Sequence, residues 1–411
     1  ARFSWEAILM ASNPTGSNPI VAMSYFASPV HTPPPNWRGQ AEHPDRVTTA
    51  MSALQAAGIT TRCELLQCGR EASDEELQRV HLRKHLDQVA RNAAAQSKSK
   101  NSFFTEGTES AARVAAAAVI DATKHVLGDH GPRRSFVLAR PPGHHASRTG
   151  VPDEGGEGDF AEGGCYYNSV AVAAAAAQQD GVDRIAIVDF DVHHGNGTQE
   201  IFESDPSVLV ISLHADLRYP GTGAIEEVGE GAGAGFNVNI MWEGSADWPP
   251  HYADYAVAVK LVVLPILQAF RPGLLLISAG FDAAEGEGFH AKLAPESFGA
   301  MTESMLTALP DVPTVAALEG GYVPPMVARC CVAVMGALLG DKVDEPEETK
   351  ISKLSESKGC KATLLKVAEA HEAHWGESAN LTVAKVKAFF EGQRERQKGL
   401  PNVRGSKRGR A

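Results

Sequence analysis

Asp191 and His193 are separated by a single residue, just beyond the apolar run Ile185–Val188. Where a strand ends, residues i and i+2 point to the same side. Asp282, just beyond the run Leu274–Ile277, can complete a set of two carboxylates and one imidazole. Three protein ligands with a fourth position open describe a catalytic metal site rather than a closed structural one. Mixed nitrogen and oxygen ligation suits Zn²⁺, with Fe²⁺ and Co²⁺ as alternatives. Any one of these aspartates alone would read as a helix cap or an ion-pair partner; the three together read as a site.

Two further features supply what such a metal lacks. His144 and His145 follow Pro141-Pro142-Gly143, a rigid turn that fixes both rings. Both could be ligands, but with ligands available elsewhere acid/base work is the more economical use. Asp189 and Asn196 are candidate partners that orient the two rings. A carboxylate raises the basicity of an imidazole more than an amide does, so the two rings should differ in proton affinity. Tyr322 follows Gly320 and Gly321, which permit a tight turn able to present the phenol to the metal. A phenol donor opposite the metal would polarise a carbonyl and stabilise a tetrahedral oxyanion. The chemistry these residues suggest is metal-assisted hydrolysis of an amide.

These residues need a scaffold, and the sequence describes one. Short apolar runs stand at Phe136–Leu138, Ile185–Val188, Val208–Leu213, Leu274–Ile277 and Val315–Leu318. None alternates apolar with polar, so both faces should be covered, as in parallel strands of a helix-flanked sheet. Helical patterns such as Ser169–Gln178 and Tyr252–Phe270 fit between them. Each run ends in a polar cluster: Arg140–Ala146, Asp189–Gln199, Ser212–Asp216, Ser278–Asp282 and Glu319–Tyr322. In a parallel sheet all carboxyl ends share one edge, where ligand sites form. Five clusters on one edge predict one shared active site.

The ends of the chain differ from its middle. A strand is predicted over Ile20–Phe26, followed by loop through Pro33–Pro35 and a helix-rich, alanine-heavy stretch from 46 to 128. Ala362–Trp375 and Leu381–Phe390 read as amphipathic helices. We therefore divide the chain into a leader or loop (1–19), a catalytic domain (20–340), a helical extension (341–392) and a basic tail expected to be disordered (393–411). Lys407 to Arg410 read first as solvated tail and only second as a nuclear address.

Composition narrows the classes. The 411 residues carry 38 Lys and Arg against 50 Asp and Glu, a net charge of −12. That balance argues against direct nucleic-acid binding and suits a cationic partner. No run of 18 apolar residues is present, so no membrane span is expected. The six cysteines form no regular framework, and Cys63 and Cys68 have no second pair at zinc-ribbon spacing. A reducing compartment, cytoplasm or nucleus, is expected. The chain opens on Ala1, which leaves a leader and organellar import open.

Taken in order, RPPGHHA (140–146), DFDVHHGNGTQ (189–199), SAGFD (278–282) and EGGY (319–322) resemble the zinc-dependent histone deacetylase and acetylpolyamine amidohydrolase superfamily over residues 20–340. Asn196, where other members carry Asp, resembles the class II branch. The resemblance implies a three-layer, arginase-like α/β fold with a mostly parallel central sheet. It implies one Zn²⁺ on Asp191, His193 and Asp282, His144 and His145 as the acid/base pair with Asp189 and Asn196 behind them, and Tyr322 as the polarising phenol. It also implies structural K⁺: a near site at Asp189, Asp191, His193, Ser212 and Leu213, and a remoter one at Phe202, Asp205, Val208 and Phe236. The substrate would be an acylated lysine in protein, or a small acylated amine such as an acetylpolyamine. A catalytically silent binding protein and a two-metal ureohydrolase are the competing readings; the intact ligands with Tyr322 weigh against the first, and too few carboxylates against the second.

The chain also departs from the family pattern. A Gly-Phe-Cys motif reads Gly163-Gly164-Cys165, which removes an aromatic wall of the acyl-lysine tunnel at Gly164, while Tyr219 supplies the opposite wall. A wider or more flexible tunnel is expected, one that would admit acyl groups larger than acetyl. Asn101 falls near the position of the family's rim aspartate, which grips a peptide backbone, and this weakens the case for a peptide substrate. Phe289 stands nearer than Glu285 or Glu287 to the position where polyamine-specific members carry an acidic guard. The long segment before Cys165 carries Asp153, Glu154, Glu157, Asp159 and Glu162, either a solvated loop or an acidic collar for cationic substrates.

Overall fold

The computed structural model describes residues 21–25, 30–35, 42–67, 69–98, 102–150, 163–216, 219–244, 248–289, 291–343 and 358–398. Its first half runs β1 (Val21–Tyr25), α1 (Asp45–Ala56), β2 (Glu64–Leu66), α2 (Asp74–Leu77), α3 (Arg83–Ala95), α4 (Thr108–Leu127), β3 (Arg134–Leu138), α5 (Ser169–Gln179), β4 (Ile185–Asp189) and α6 (Asn196–Phe202). The second half runs β5 (Val208–Ala215), β6 (Asn237–Trp242), α7 (Tyr252–Phe270), β7 (Leu274–Ala279), α8 (Pro295–Ala308), β8 (Thr314–Leu318), α9 (Pro324–Leu339), α10 (Lys358–Trp375) and α11 (Val383–Lys398).

The strands form one sheet in the order β2-β1-β3-β8-β7-β4-β5-β6, and every pairing is parallel. Alternate residues feed two separate cores. Phe136, Leu138, Val188, Ile211 and Ile277 face one; Val137, Ile187, Val210 and Leu276 face the other. Because side chains alternate across a strand, a sheet with an apolar core on each side must be spelled as an unbroken apolar run, which is why these strands are legible in the sequence.

On one side, α4 lies against α5. Both are rich in buried alanine, including Ala115, Ala118, Ala171 and Ala174, and small side chains let two helices approach closely. On the other side, α9 packs between α1 and α8. Helix α7 passes through a π turn at Val259–Val263, just before Pro265. Proline cannot donate to the turn before it and crowds that turn's carbonyl, and a widened turn relieves both. Of the described helices α7 alone is long and apolar enough to cross a membrane, but 67% of its apolar stretch is buried within the protein.

The expected strands are present, and two more join them. β2 is a three-residue edge strand. β6 escaped the sequence because Asn237 and Asn239 interrupt its apolar pattern, yet both are buried. Their amides donate to Gln199 Oε1 at 2.8 and 2.9 Å and to loop carbonyls. Helix α10 packs along β6, which is otherwise the outer edge of the sheet. It places Leu364, Val367 and Ala368 in the larger core, and Trp375 Nε1 donates to the Gly235 carbonyl at 2.7 Å. Helix α11 continues to Lys398, into the stretch whose basic composition reads as tail. The five described cysteines are buried, and no disulfide joins them.

Candidate active site

Strands β3, β8, β7, β4 and β5 are consecutive neighbours, so the five polar clusters that follow them meet at one carboxyl edge. Asp191, His193 and Asp282 place ligand atoms within 4.8 Å of one another. His193 Nδ1 lies 3.1 Å from Asp191 Oδ1 and 2.9 Å from Asp282 Oδ2. Donors around one tetrahedral zinc at about 2.0–2.2 Å would stand roughly 3.3 Å apart, so the set matches the ion in identity and in size. Exposure is 0% for both aspartates and 6% for the histidine.

Main-chain amides hold these carboxylates. Asp191 Oδ1 accepts from His193 N at 2.9 Å and its Oδ2 from Gly320 N at 2.9 Å. Asp282 Oδ1 accepts from Val192 N at 2.8 Å, and Asp189 Oδ1 from Asp191 N at 3.0 Å. A Cβ at Gly280 or Gly320 would overlap Asp191 Oδ2, so the glycines of SAGFD and EGGY are there for close approach.

Charge in this pocket is unbalanced. Burial raises the Asp282 pKa, Asp191 adds to it, and the carboxyl comes to about 6. Burial lowers the His193 pKa, but the two carboxylates beside it outweigh that and bring it to about 9. Two buried carboxylates against one imidazole call for a cation. A second group, His144, Cys165 and Glu319, also brings ligand atoms together. There the carboxylate is already committed: Glu319 Oε2 accepts from Gly143 N at 2.7 Å and from His144 N at 3.1 Å, which pins the histidine turn.

The paired imidazoles have the partners expected of them. His144 Nδ1 donates to Asp189 Oδ2 at 2.9 Å, and His145 Nδ1 donates to Asn196 Oδ1 at 2.7 Å. Their ring centroids are 4.1 Å apart, and His144 Nε2 lies 3.8 Å from Asp191 Oδ2. Burial depresses proton affinity at both. At His144 the Asp191 and Asp189 charges reverse this, and the pKa rises well above the usual histidine value. At His145 burial and the charge of His144 prevail, and the pKa falls well below it.

Tyr322 stands across the site. Burial, followed by the nearby Asp282 and Asp191 carboxylates, raises its phenol well above the ordinary tyrosine value, so it remains a donor. The rim is aromatic. Phe289 meets His193 edge-on at 4.6 Å and lies 6.5 Å from Tyr322. Tyr219 meets His145 at 5.2 Å and His193 at 5.7 Å. Gly163 and Gly164 both have positive φ, 56° and 78°. A Cβ at Gly163 would sit 2.7 Å from His145 Cδ2 and 2.8 Å from the Tyr219 hydroxyl. At Gly164 a Cβ would instead face Glu42 Cγ at 3.4 Å. Gly163, rather than Gly164, is thus the glycine packed against His145 and Tyr219. Asn101 and the acidic segment 153–162 lie outside the described residues.

Ser212 and Leu213 are buried on β5 beside Asp189 on β4. The carbonyls of Phe202, Asp205 and Phe236 each accept one backbone N–H, at 2.8, 3.2 and 2.9 Å, leaving each a second lone pair.

Sequence reasoning missed a buried ion network beneath the site. Glu42 pairs with Arg140 at 2.6 Å, Arg46 at 3.3 Å and His31 at 3.2 Å, all with side chains at most 4% exposed. Arg46 donates through Nε and a terminal nitrogen to the carbonyls of Gly321 and Glu319, and its guanidinium lies 5.1 Å over the Tyr322 ring. Burial raises the Glu42 pKa, but Arg140, His31 and Arg46 overcome it and bring the carboxyl down to about 2. A folded-state pKa below the unfolded value of roughly 4.3 gives stability that is full above that value and lost as pH falls toward 2. Replacing Glu42 with Gln takes the carboxylate from two buried guanidinium groups, at a cost of about 3–5 kcal/mol. Denaturant unfolding near neutral pH should show this loss, and the gap between wild type and variant should narrow in acid. A gap that widens in acid would contradict the assignment.

The histone deacetylase domain model matches residues 40–338. The chain is 37% identical to Homo sapiens histone deacetylase 7 over 370 residues, which is 82% of this chain and 37% of that one. Against Homo sapiens histone deacetylase 9 it is 37% identical over 364 residues, 80% of this chain and 34% of the other. Against Arabidopsis thaliana histone deacetylase 15 it is 41% identical over 313 residues, 73% and 53% respectively. The crystal structure of the HDA15 HD domain superposes with a TM-score of 0.78 at 33% identity, covering 90% of this chain and 99% of that one. The chain thus spans between a third and just over half of the length of these curated relatives.

Proposed function

The chain belongs to the histone deacetylase family, and from that premise we propose that it is a zinc-dependent hydrolase that removes acyl groups, acetyl among them, from lysine side chains of proteins. The observation that carries this reading is the convergence of a buried two-carboxylate, one-imidazole set with a histidine pair on one flank and a phenol on the other. Asp191, His193 and Asp282 would hold the ion. When bound, zinc supplies Lewis acidity toward water and toward the amide carbonyl.

The remaining chemistry belongs to the chain. His145 is backed by a neutral amide oxygen, so its outer nitrogen is left free to take a proton from water. His144 is backed by the Asp189 carboxylate and stands as a cation that stabilises negative charge building beside it. As the C–N bond breaks, the proton taken by His145 is returned to the leaving nitrogen to give the primary amine of lysine; the second proton of the attacking water is lost by the new carboxylic acid and brings that amine to its ammonium form. Tyr322 donates to the carbonyl oxygen as it gains charge. Phe289 and Tyr219 would flank the aliphatic stem of the lysine, and the missing aromatic side chain at Gly164 would make the tunnel wider or more flexible and admit an acyl group longer than acetyl. Monovalent cation binding beside Asp189 and Ser212, and at the carbonyls of Phe202, Asp205, Val208 and Phe236, forms part of the same reading.

A polyamine substrate is less well served. Phe289, which carries no charge, is the side chain that meets His193 at the rim, and the carboxylate of Glu287 is bonded to backbone amides. Zinc-loaded protein should therefore turn over an acetyl-lysine peptide, and its longer-acyl counterparts, faster than acetylspermidine. Preference for acetylspermidine would move the assignment to the small-amide branch. No turnover of any of them would sink it.

A further inference from the structure

The backbone that presents Tyr322 is held from two sides by groups of opposite charge. On the amino side, Arg46 grips the carbonyls of Glu319 and Gly321. On the other, Glu287 accepts from Tyr322 N at 2.6 Å through Oε2, and from Val323 N at 3.0 Å through Oε1 and 3.2 Å through Oε2. Val323 is the residue before α9, and no side chain of its own segment caps that helix. The helix opens with Pro324 and Pro325, which carry no N–H, so the amides that precede the prolines are the ones left to satisfy. Glu287 satisfies them from a distant loop and places its negative charge at the helix start, where the peptide dipoles favour it.

This arrangement answers a specific need. Gly320 allows the close approach to Asp191, and Gly321, with a φ of 104°, lies where a Cβ would meet Val327 and Phe281. Two adjacent glycines also leave the following residue free to swing, and a phenol that swings is a poor transition-state donor. Glu287 lies on the loop that carries the metal ligand Asp282 at one end and the rim residue Phe289 at the other. One carboxylate therefore ties the turn of the phenol to the loop of the metal.

We propose that Glu287 is a positioning residue for the reaction: its clamp on the Tyr322 and Val323 amides fixes the phenol in register with the metal site. This rests on the hydrolase reading above and assigns to Glu287 a task different from screening substrates by charge. Glu287→Ala should lower kcat by about ten- to a hundredfold, as expected when an oriented donor is loosened by an ångström or so. KM, zinc content and melting temperature should stay close to those of the wild type. Glu287→Gln, which keeps one acceptor oxygen, should fall in between. In a Tyr322→Phe background the Glu287→Ala change should cost less than about twofold, because the group it acts through is gone. Hydrogen–deuterium exchange should rise over residues 320–326 and nowhere else. Unchanged exchange there, an unchanged kcat, or losses that multiply in the double variant would each overturn the proposal. A wild-type enzyme without deacylase activity would remove the hydrolase reading, while the exchange measurement would still decide whether Glu287 holds this turn.

Discussion

A Tyr322→Phe enzyme should keep its metal and its affinity for substrate and turn over about 10²–10³-fold more slowly. The phenol ring is retained, with Arg46 5.1 Å away and Phe289 6.5 Å away, so packing at the turn is undisturbed. What is lost is one donor aimed at an oxygen that becomes strongly negative only in the transition state. In a buried, low-dielectric site such a donor is worth about 2.7–4 kcal/mol, and the loss falls on kcat because the ground-state carbonyl uses it little. Steady-state kinetics on an acyl-lysine peptide, with zinc measured in the same preparation, provide the test. A kcat within a few-fold of wild type, at full zinc content, would remove Tyr322 from the mechanism.

Asp282→Ala should go further and bring both bound metal and activity to background. The remaining pair, Asp191 and His193, leaves two protein ligands where a catalytic zinc site uses three. The substitution also deprives Val192 N of its acceptor, so the chain segment between the other two ligands loosens at the same time. Elemental analysis of the dialysed variant should find far less zinc than the roughly one ion per chain expected of the parent. Adding excess zinc should restore little activity. Full metal content in this variant would mean that the ligands lie elsewhere.

The sequence was informative where chemistry follows topology. Asp191, His193, Asp282, the two histidines and Tyr322 could all be placed at one edge because each follows an apolar run, and a parallel sheet brings such ends together whatever the details. It was silent where one side chain meets distant backbone. Arg46 reaches Gly321 across 275 positions and Glu287 reaches Tyr322 across 35, and no periodicity marks either pairing. A sharper signal was available for Glu42: a carboxylate one helical turn before Arg46 would have suggested a partner, though not that both are buried. β6 was hidden for the opposite reason, since its buried asparagines look like surface. At the rim, Gly164 attracted notice by its type, while the contact that shapes the space above His145 belongs to its neighbour Gly163.

The carboxylates at the centre are fastened by the amides of His193, Gly320 and Val192. Every non-proline residue brings an amide, whatever its side chain. A cage tied in this way is inherited largely with the path of the chain, so a position such as Val192 can drift over generations without loosening it, provided Gly280 and Gly320 stay free of a Cβ that would overlap Asp191. The rim, built from the side chains of Tyr219 and Phe289, has no such insurance, and there a single exchange is enough to remove a ring that packs against His193.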